Sequence, residues 1–221
     1  MKRIMTAVLL GILSFPGGAQ EPKAEEGFTP LFNGKDLSGW IYGKKAGGEA
    51  KSGAGFAVEN GTLFCTAKDG GNLFTEREYG DFTLRFEFRL AENAIGGIAL
   101  RAPLEGDSAF VGMRIQILDD SGSEYKLLRP EQYHGSIYDC VAAKRGSLKP
   151  VGEWNSEEIT ARGRRVTVTV NGQVVVEANL DDLQDEAKLK KHPGLKNAKG
   201  HLGILGYGAR AEFRHLRIQE L

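Results

Sequence analysis

Between Phe82 and Leu90 the chain alternates without a fault. Phe82, Leu84, Phe86, Phe88 and Leu90 are apolar, and Thr83, Arg85, Glu87 and Arg89 are polar. A period of two marks a β-strand with one face in a core, because successive side chains leave opposite sides of a sheet. The stretch from Met113 to Asp119 repeats the pattern, with Met113, Ile115 and Ile117 on one face and Arg114 and Gln116 on the other. Gly97 to Arg101 repeats it more briefly. Val166, Val168 and Val170 alternate with threonines, Asn171-Gly172 supplies a type I′ turn, and Val174 to Val176 returns, so residues 165–177 are predicted to form a hairpin. Near the C-terminus Ala211 and Phe213 share a phase that Leu216 and Ile218 do not, which predicts a bulge near Arg214-His215. Shorter strands are expected near residues 31–41, 56–58, 62–66, 73–75, 137–142, 156–162 and 202–206. Only Leu180 to His192 reads as helical, with Leu183 and Ala187 four apart and Pro193-Gly194 closing it.

A dozen or so strands in one unit must dispose of their edges by closing or by stacking two sheets. The expected fold is all-β: a single-domain jelly-roll β-sandwich with one short helical excursion. Composition sharpens this. Glycine accounts for 30 of 221 residues, about twice ordinary usage, which fits many tight turns, and 41% hydrophobic residues can supply a packed core. Lys+Arg and Asp+Glu both number 29, so the chain has neither a basic nucleic-acid stripe nor an acidic disordered tail.

The first residues have the form of an export signal. Lys2 and Arg3 precede an apolar run from Ile4 to Phe15, and small residues lead to a cut after Ala19. Residues 1–19 are therefore expected to be removed, 20–27 to be a flexible lead-in, and 28–221 to be the domain. The run is too short for a stable anchor, so no membrane attachment is expected after cleavage, and the location is periplasmic or extracellular. In such a compartment Cys65 and Cys140 either form a long-range disulfide or are buried as two separate thiols. Asn60-Gly61-Thr62 fits a glycosylation sequon in a turn.

No phosphate-binding loop, HExxH, CxxC or nucleophile elbow is present, and His134, His192, His201 and His215 have no metal-ligand spacing, so no cofactor or catalytic metal is expected. Asp119, Asp120 and nearby carbonyls could hold a structural calcium, although no spacing requires one. Two-carboxylate glycoside cleavage needs paired acids across a cleft. Arg114 and Gln116 stand at the outward positions where a strand of that kind would carry them. Residues 129–150 gather Tyr133, His134, Tyr138, Lys144 and Arg145, a set able to offer a base near neutrality and to stabilise an anion. Trp154 is a core residue or a sugar platform.

Leu31-Phe32-Asn33-Gly34-Lys35-Asp36-Leu37-Ser38-Gly39-Trp40 resembles the opening motif of the 3-keto-disaccharide hydrolase domain family. Tyr79-Gly80-Asp81-Phe82, Leu100-Arg101-Ala102-Pro103, Ile115-Gln116-Ile117-Leu118-Asp119-Asp120 and Tyr133-His134-Gly135-Ser136-Ile137-Tyr138 follow in family order. Lys149-Pro150-Val151-Gly152-Glu153-Trp154-Asn155, Asn171-Gly172 and Glu212-Phe213-Arg214 complete the likeness. The resemblance implies a concanavalin A-like jelly roll, a carbohydrate partner, and an exported hydrolase or lyase that cleaves 3-keto-glycosides. A ketone at carbon 3 acidifies the proton on carbon 2, so one base and an enolate stabiliser can expel the aglycone before water adds. On that scheme His134 or Asp119 is the base, Arg101 the anion stabiliser, and Gln116 and Tyr138 sugar hydrogen-bonding groups. Arg114, Lys144 and Tyr207 complete the candidate substrate-binding set. The chain departs from the family pattern at telling places. Arg114-Ile115-Gln116 stands for Glu-Ile-Gln, Gly206-Tyr207-Gly208 for Gly-His-Gly, Ile95-Gly96 where an Asn is expected before Gly97, and Asp139 for the Gly after Tyr138. Noncatalytic sugar binding on the same scaffold is the alternative that Arg114 and Tyr207 favour.

Overall fold

The computed structural model describes residues 25–43, 55–65 and 71–221. The expected signal segment and residues 20–24 of the lead-in lie outside the described residues. Thirteen strands are found among those described: β1 (Thr29–Pro30), β2 (Trp40–Tyr42), β3 (Phe56–Glu59), β4 (Thr62–Cys65), β5 (Gly71–Tyr79), β6 (Phe82–Leu90), β7 (Ala94–Ala102), β8 (Met113–Leu118), β9 (Asn155–Arg162), β10 (Arg165–Val170), β11 (Gln173–Asn179), β12 (Gly200–Gly208) and β13 (Ala211–Glu220). They form two antiparallel sheets. The larger has eight strands in the order β11-β10-β9-β6-β13-β4-β3, with β1 also on β13, and the smaller has five in the order β2-β5-β12-β7-β8. The architecture is the jelly-roll sandwich.

The alternation of β6 sends Phe82, Leu84, Phe86 and Phe88 inward, where they join Ile159 of β9 and Val166, Val168 and Val170 of β10. Met113, Ile115 and Ile117 of β8, Ile98 and Leu100 of β7, and Leu202 and Ile204 of β12 meet them from the smaller sheet. Each such side chain, fully buried, contributes roughly 1.5–3 kcal/mol of transfer free energy. The hairpin turns at Asn171 and Gly172, both at positive φ (49° and 79°), as a type I′ turn requires. The bulge in β13 falls between Arg214 and Arg217, and His215 at its centre has φ of 54°.

Three expectations are corrected. The helical span from Leu180 to His192 is broken into a 3-10 turn at Leu180–Asp182, a short helix at Glu186–Lys191 and a 3-10 turn at Pro193–Lys196. Asp185 restarts the helix by accepting from the Lys188 N–H. A second short helix, α1 (Ser108–Val111), capped by Asp107, precedes β8 and was not foreseen. Residues 137–142 form no strand, and Ile137 only bridges Ile115 and Val141. Cys65 and Cys140 are buried as separate thiols, with burial pushing each pKa up to about 11.

β8 ends the order of the smaller sheet, and residues 134–138 run along its outer edge. The Gln116 N–H donates to Ser136 O (3.0 Å), Gly135 N–H to Gln116 O (2.8 Å), and Tyr138 N–H to Arg114 O (2.8 Å). This ladder brings Tyr138 beside Arg114.

Candidate carbohydrate site on the five-stranded sheet

Because Met113, Ile115 and Ile117 face the core, Arg114 and Gln116 leave the opposite side of β8, on the outer face of the smaller sheet. Both are buried there, at 8% and 1% exposure. The Arg114 guanidinium lies between two aromatic rings, 4.8 Å from the centroid of Tyr138 and 5.2 Å from that of Tyr207. Gly97 makes room for it: a Cβ there would come within 2.7 Å of Arg114 Nε. Nη2 donates to Gly96 O at 2.6 Å, whereas Nε has no partner. Gln116 Oε1 is likewise sealed and unpartnered. An apolar floor of Phe74, Ala99, Ala102 and Leu205 continues the same face, with Ile41 and Leu104 packed on it.

Burial pulls the Arg114 pKa down from its ordinary value, and burial pushes that of Tyr207 up in spite of the neighbouring guanidinium. An arginine starts so high that it remains a cation at neutral pH, and Tyr207 keeps its proton. The face thus offers a fixed cation between two phenol groups, with Gln116 and the apolar residues sealed beneath, and cations and phenols are groups that hydrogen-bond sugar hydroxyls.

The other expected site residues are elsewhere. Arg101 is fully buried and committed: Nε donates to Gly80 O, Nη1 to Gly163 O and Asn197 O, and Nη2 to Asp81 Oδ1. It sits at a left-handed backbone position, φ 48°, and ties loops together, with four of its five N–H donors committed and the side chain buried away from any open face. Asp119 accepts from the N–H groups of Asn93 and Ser121 and from the Ser121 hydroxyl, which locks it into the turn after β8. Asp120 accepts from the His134 N–H instead, so the two carboxylates that could share a calcium have different partners. Lys144 is exposed on the loop, beside the hollow next to His134 and apart from Arg114, and its backbone N–H donates to Val175 O.

His134 points inward. Its ring stacks on Phe88 of the larger sheet, with centroids 5.0 Å apart, and Nδ1 accepts the Leu118 N–H at 3.2 Å. Nε2 lies 3.3 Å from Glu157 Oε2, short of a well-aligned hydrogen bond. The hollow beside it measures about 10 Å³, room for roughly one water and not for a sugar. His134 therefore does not reach the face that carries Arg114. Glu157 went unnoticed in the sequence, although it shares the phase of Ile159 and Ala161, and a carboxylate in an apolar register was the available signal. Asp139 is a second omission. It occupies a left-handed position (φ 61°), and Arg129, Lys191 and His192 hold it there. Trp154 is neither core nor open platform but lies between Arg89 and Arg214.

A larger groove of about 530 Å³ runs along the other edge of the sandwich, past Asn33, Thr75, Arg77, Tyr79 and Glu220. Its principal charges are already matched, Arg77 with Glu220 at 3.0 Å and both well exposed, so it leaves no buried group in need of a ligand. Among the described residues no group of three or more His, Cys, Asp or Glu is placed to hold a metal.

Residues 27–219 match the model of the 3-keto-alpha-glucoside-1,2-lyase-like domain. The chain belongs to that family. No curated protein matches it. Among solved structures it is similar to two candidate glycosyl hydrolases from Parabacteroides distasonis. One is 25% identical, with TM-score 0.70, over 89% of this chain and 94% of that one; the other is 23% identical, with TM-score 0.71, over 88% and 99%. The fold alone is also shared with the carbohydrate-binding module CBM66 of Bacillus subtilis, at 12% identity and TM-score 0.54 over 82% of this chain and 96% of that one. Membership and fold together make this a carbohydrate-acting protein.

Proposed function

We propose that this protein, exported by its N-terminal signal, binds a carbohydrate on the outer face of the five-stranded sheet and holds it without breaking a bond. One observation carries the reading. The groups converging there are Arg114, Gln116, Tyr138 and Tyr207, and none is a ready base at neutral pH. Elimination from a 3-keto-glycoside needs a group that takes a proton from carbon 2. Asp119 is consumed by its turn and His134 faces the core. Arg114 stands where the family motif carries a carboxylate, and a guanidinium cannot accept a proton.

A second reading, cleavage of 3-keto-glycosides, keeps the support of the family match across residues 27–219. On this face the proton would have to pass to Tyr207, whose raised pKa makes the phenolate scarce. The test pairs two measurements on the mature chain. Titration calorimetry with unmodified gluco-oligosaccharides is expected to show binding, weakened about tenfold by Tyr207→Ala, the order of loss for removing one stacking ring. Incubation with 3-keto-trehalose and 3-keto-glucosides is expected to release no sugar above the protein-free rate. Release that disappears in Tyr207→Phe would establish the second reading instead.

A further inference from the structure

Two arginines are buried among the described residues, and they differ in one respect. Arg101 has Asp81 at 3.0 Å. Arg114 has no carboxylate within ion-pair range among the described residues, where its hydrogen bond goes to the Gly96 carbonyl. Asp107 is the acidic side chain whose charge reaches Arg114, but it is occupied as the cap of α1, accepting from the Ala109 N–H. A buried charge without a counterion is among the costliest features a fold can carry, and the π faces of two tyrosines offset only part of that cost. The rings of Tyr138 and Tyr207 flank the guanidinium, so new partners must approach its edge. There Nε is sealed and empty, while Nη1 donates to none of the described residues.

We infer that the ligand of this face is an anionic sugar, whose carboxylate or sulfate group seats on the edge of Arg114 between Tyr138 and Tyr207. The inference rests on the binding reading and adds the chemical class of the ligand. The anion supplies the missing counter-charge, and the partly exposed Tyr138 and Tyr207 beside it are the phenols that can meet the sugar. Charge-assisted hydrogen bonds of this kind are about twice as strong as neutral ones and depend on the donor being a fixed cation. Gly97 belongs to the same device, because a Cβ would strike Arg114 Nε and shift the guanidinium.

The test titrates the mature chain with three oligosaccharides of equal length: neutral glucose units, one glucuronate terminus, and one 6-sulfated terminus. At least one anionic ligand is expected to bind about tenfold tighter than the neutral one, with the preference shrinking as salt rises. Arg114→Gln is expected to erase the preference, so that neutral and anionic ligands bind alike, and to melt no lower than the parent because it removes a lone buried charge. Gly97→Ala should reduce the preference as well. Comparison of the two anionic arms decides between carboxylate and sulfate. Binding of the neutral sugar with equal or higher affinity overturns this inference and leaves the binding reading standing. A preference that survives in Arg114→Gln also overturns it. Binding of none of the three overturns both.

Discussion

On the outer face of the eight-stranded sheet the Trp154 ring lies between two arginines, Arg89 at 4.8 Å and Arg214 at 4.0 Å. Each arginine is also paired: Arg89 Nε donates to Glu212 and Arg214 Nε to Glu87, both at 2.7 Å. On the outer face of the five-stranded sheet the order is inverted, with one arginine between two aromatic rings and, among the described residues, no carboxylate in ion-pair range. The first face is complete. Its charges alternate along β6 and β13, remain partly solvated and ask for nothing further. The second face is deeper, and its polar atoms are unfinished at Arg114 Nε and Gln116 Oε1. Sheet geometry is alike on both sides, so the difference lies in the side chains. A cation with its counterion serves the fold; a buried cation without one points to a ligand.

The contrast can be broken or sharpened by substitution. The largest effect is expected at Arg101, the paired buried arginine. Arg101→Ala strips donors from three backbone carbonyls and from Asp81, and should cost about 2–4 kcal/mol by denaturant unfolding. A cost under about 1 kcal/mol would mean that those bonds matter little.

Glu157 comes next. Burial pushes its carboxyl pKa up from about 4.5, against the pull of His134. The folded chain therefore favours the protonated acid, whereas the unfolded chain ionises it at neutral pH. Stability from this group is fully present below the unfolded pKa and is lost as pH rises through the raised folded one. Glu157→Gln imitates the protonated form. It should match the parent near about pH 4 and exceed it increasingly toward about pH 8, as read by denaturant midpoints. Equal pH dependence in the two chains would contradict this account of the core.

Arg114→Met should change stability little, between no change and a gain of about 1 kcal/mol, because it replaces an unpaired buried charge by an apolar chain. Loss comparable to that of Arg101→Ala would show that Arg114 has a partner in the free protein. The smallest effect belongs to Arg214→Ala, expected within about 1 kcal/mol, since its pair with Glu87 is about one-third exposed and solvent-screened.

The same contrast explains how much could be read from the chain. Strands that bury one face and wet the other carry a period-two signal, so β6, the β10–β11 hairpin and the bulge in β13 were legible residue by residue. β12 was harder, because Gly200, Gly203, Gly206 and Gly208 interrupt its alternation. Those glycines answer to close contacts: a Cβ on Gly206 would meet Cys65 Sγ at 2.1 Å. The site was half legible. Arg114 and Gln116 were placed outward by the phase of β8, and Tyr138 and Tyr207 belonged to the expected set. His134 could not be oriented, because a loop residue has no periodic phase and its inward turn depends on the ladder along β8 and on Phe88. Arg101 followed the alternation of its neighbours in sequence, yet a bulge opposite His201 and Gly203 left it at positive φ and sent its side chain to the loops.

The central claim is a location, so the most direct measurement is a location. Backbone amide shifts of the isotopically labelled mature chain can be followed while an oligosaccharide is titrated in. The account predicts that the largest changes fall on Gly97, Arg114, Gln116, Tyr138 and Tyr207. Changes gathered instead around Asn33, Arg77 and Glu220, along the opposite groove, would contradict it.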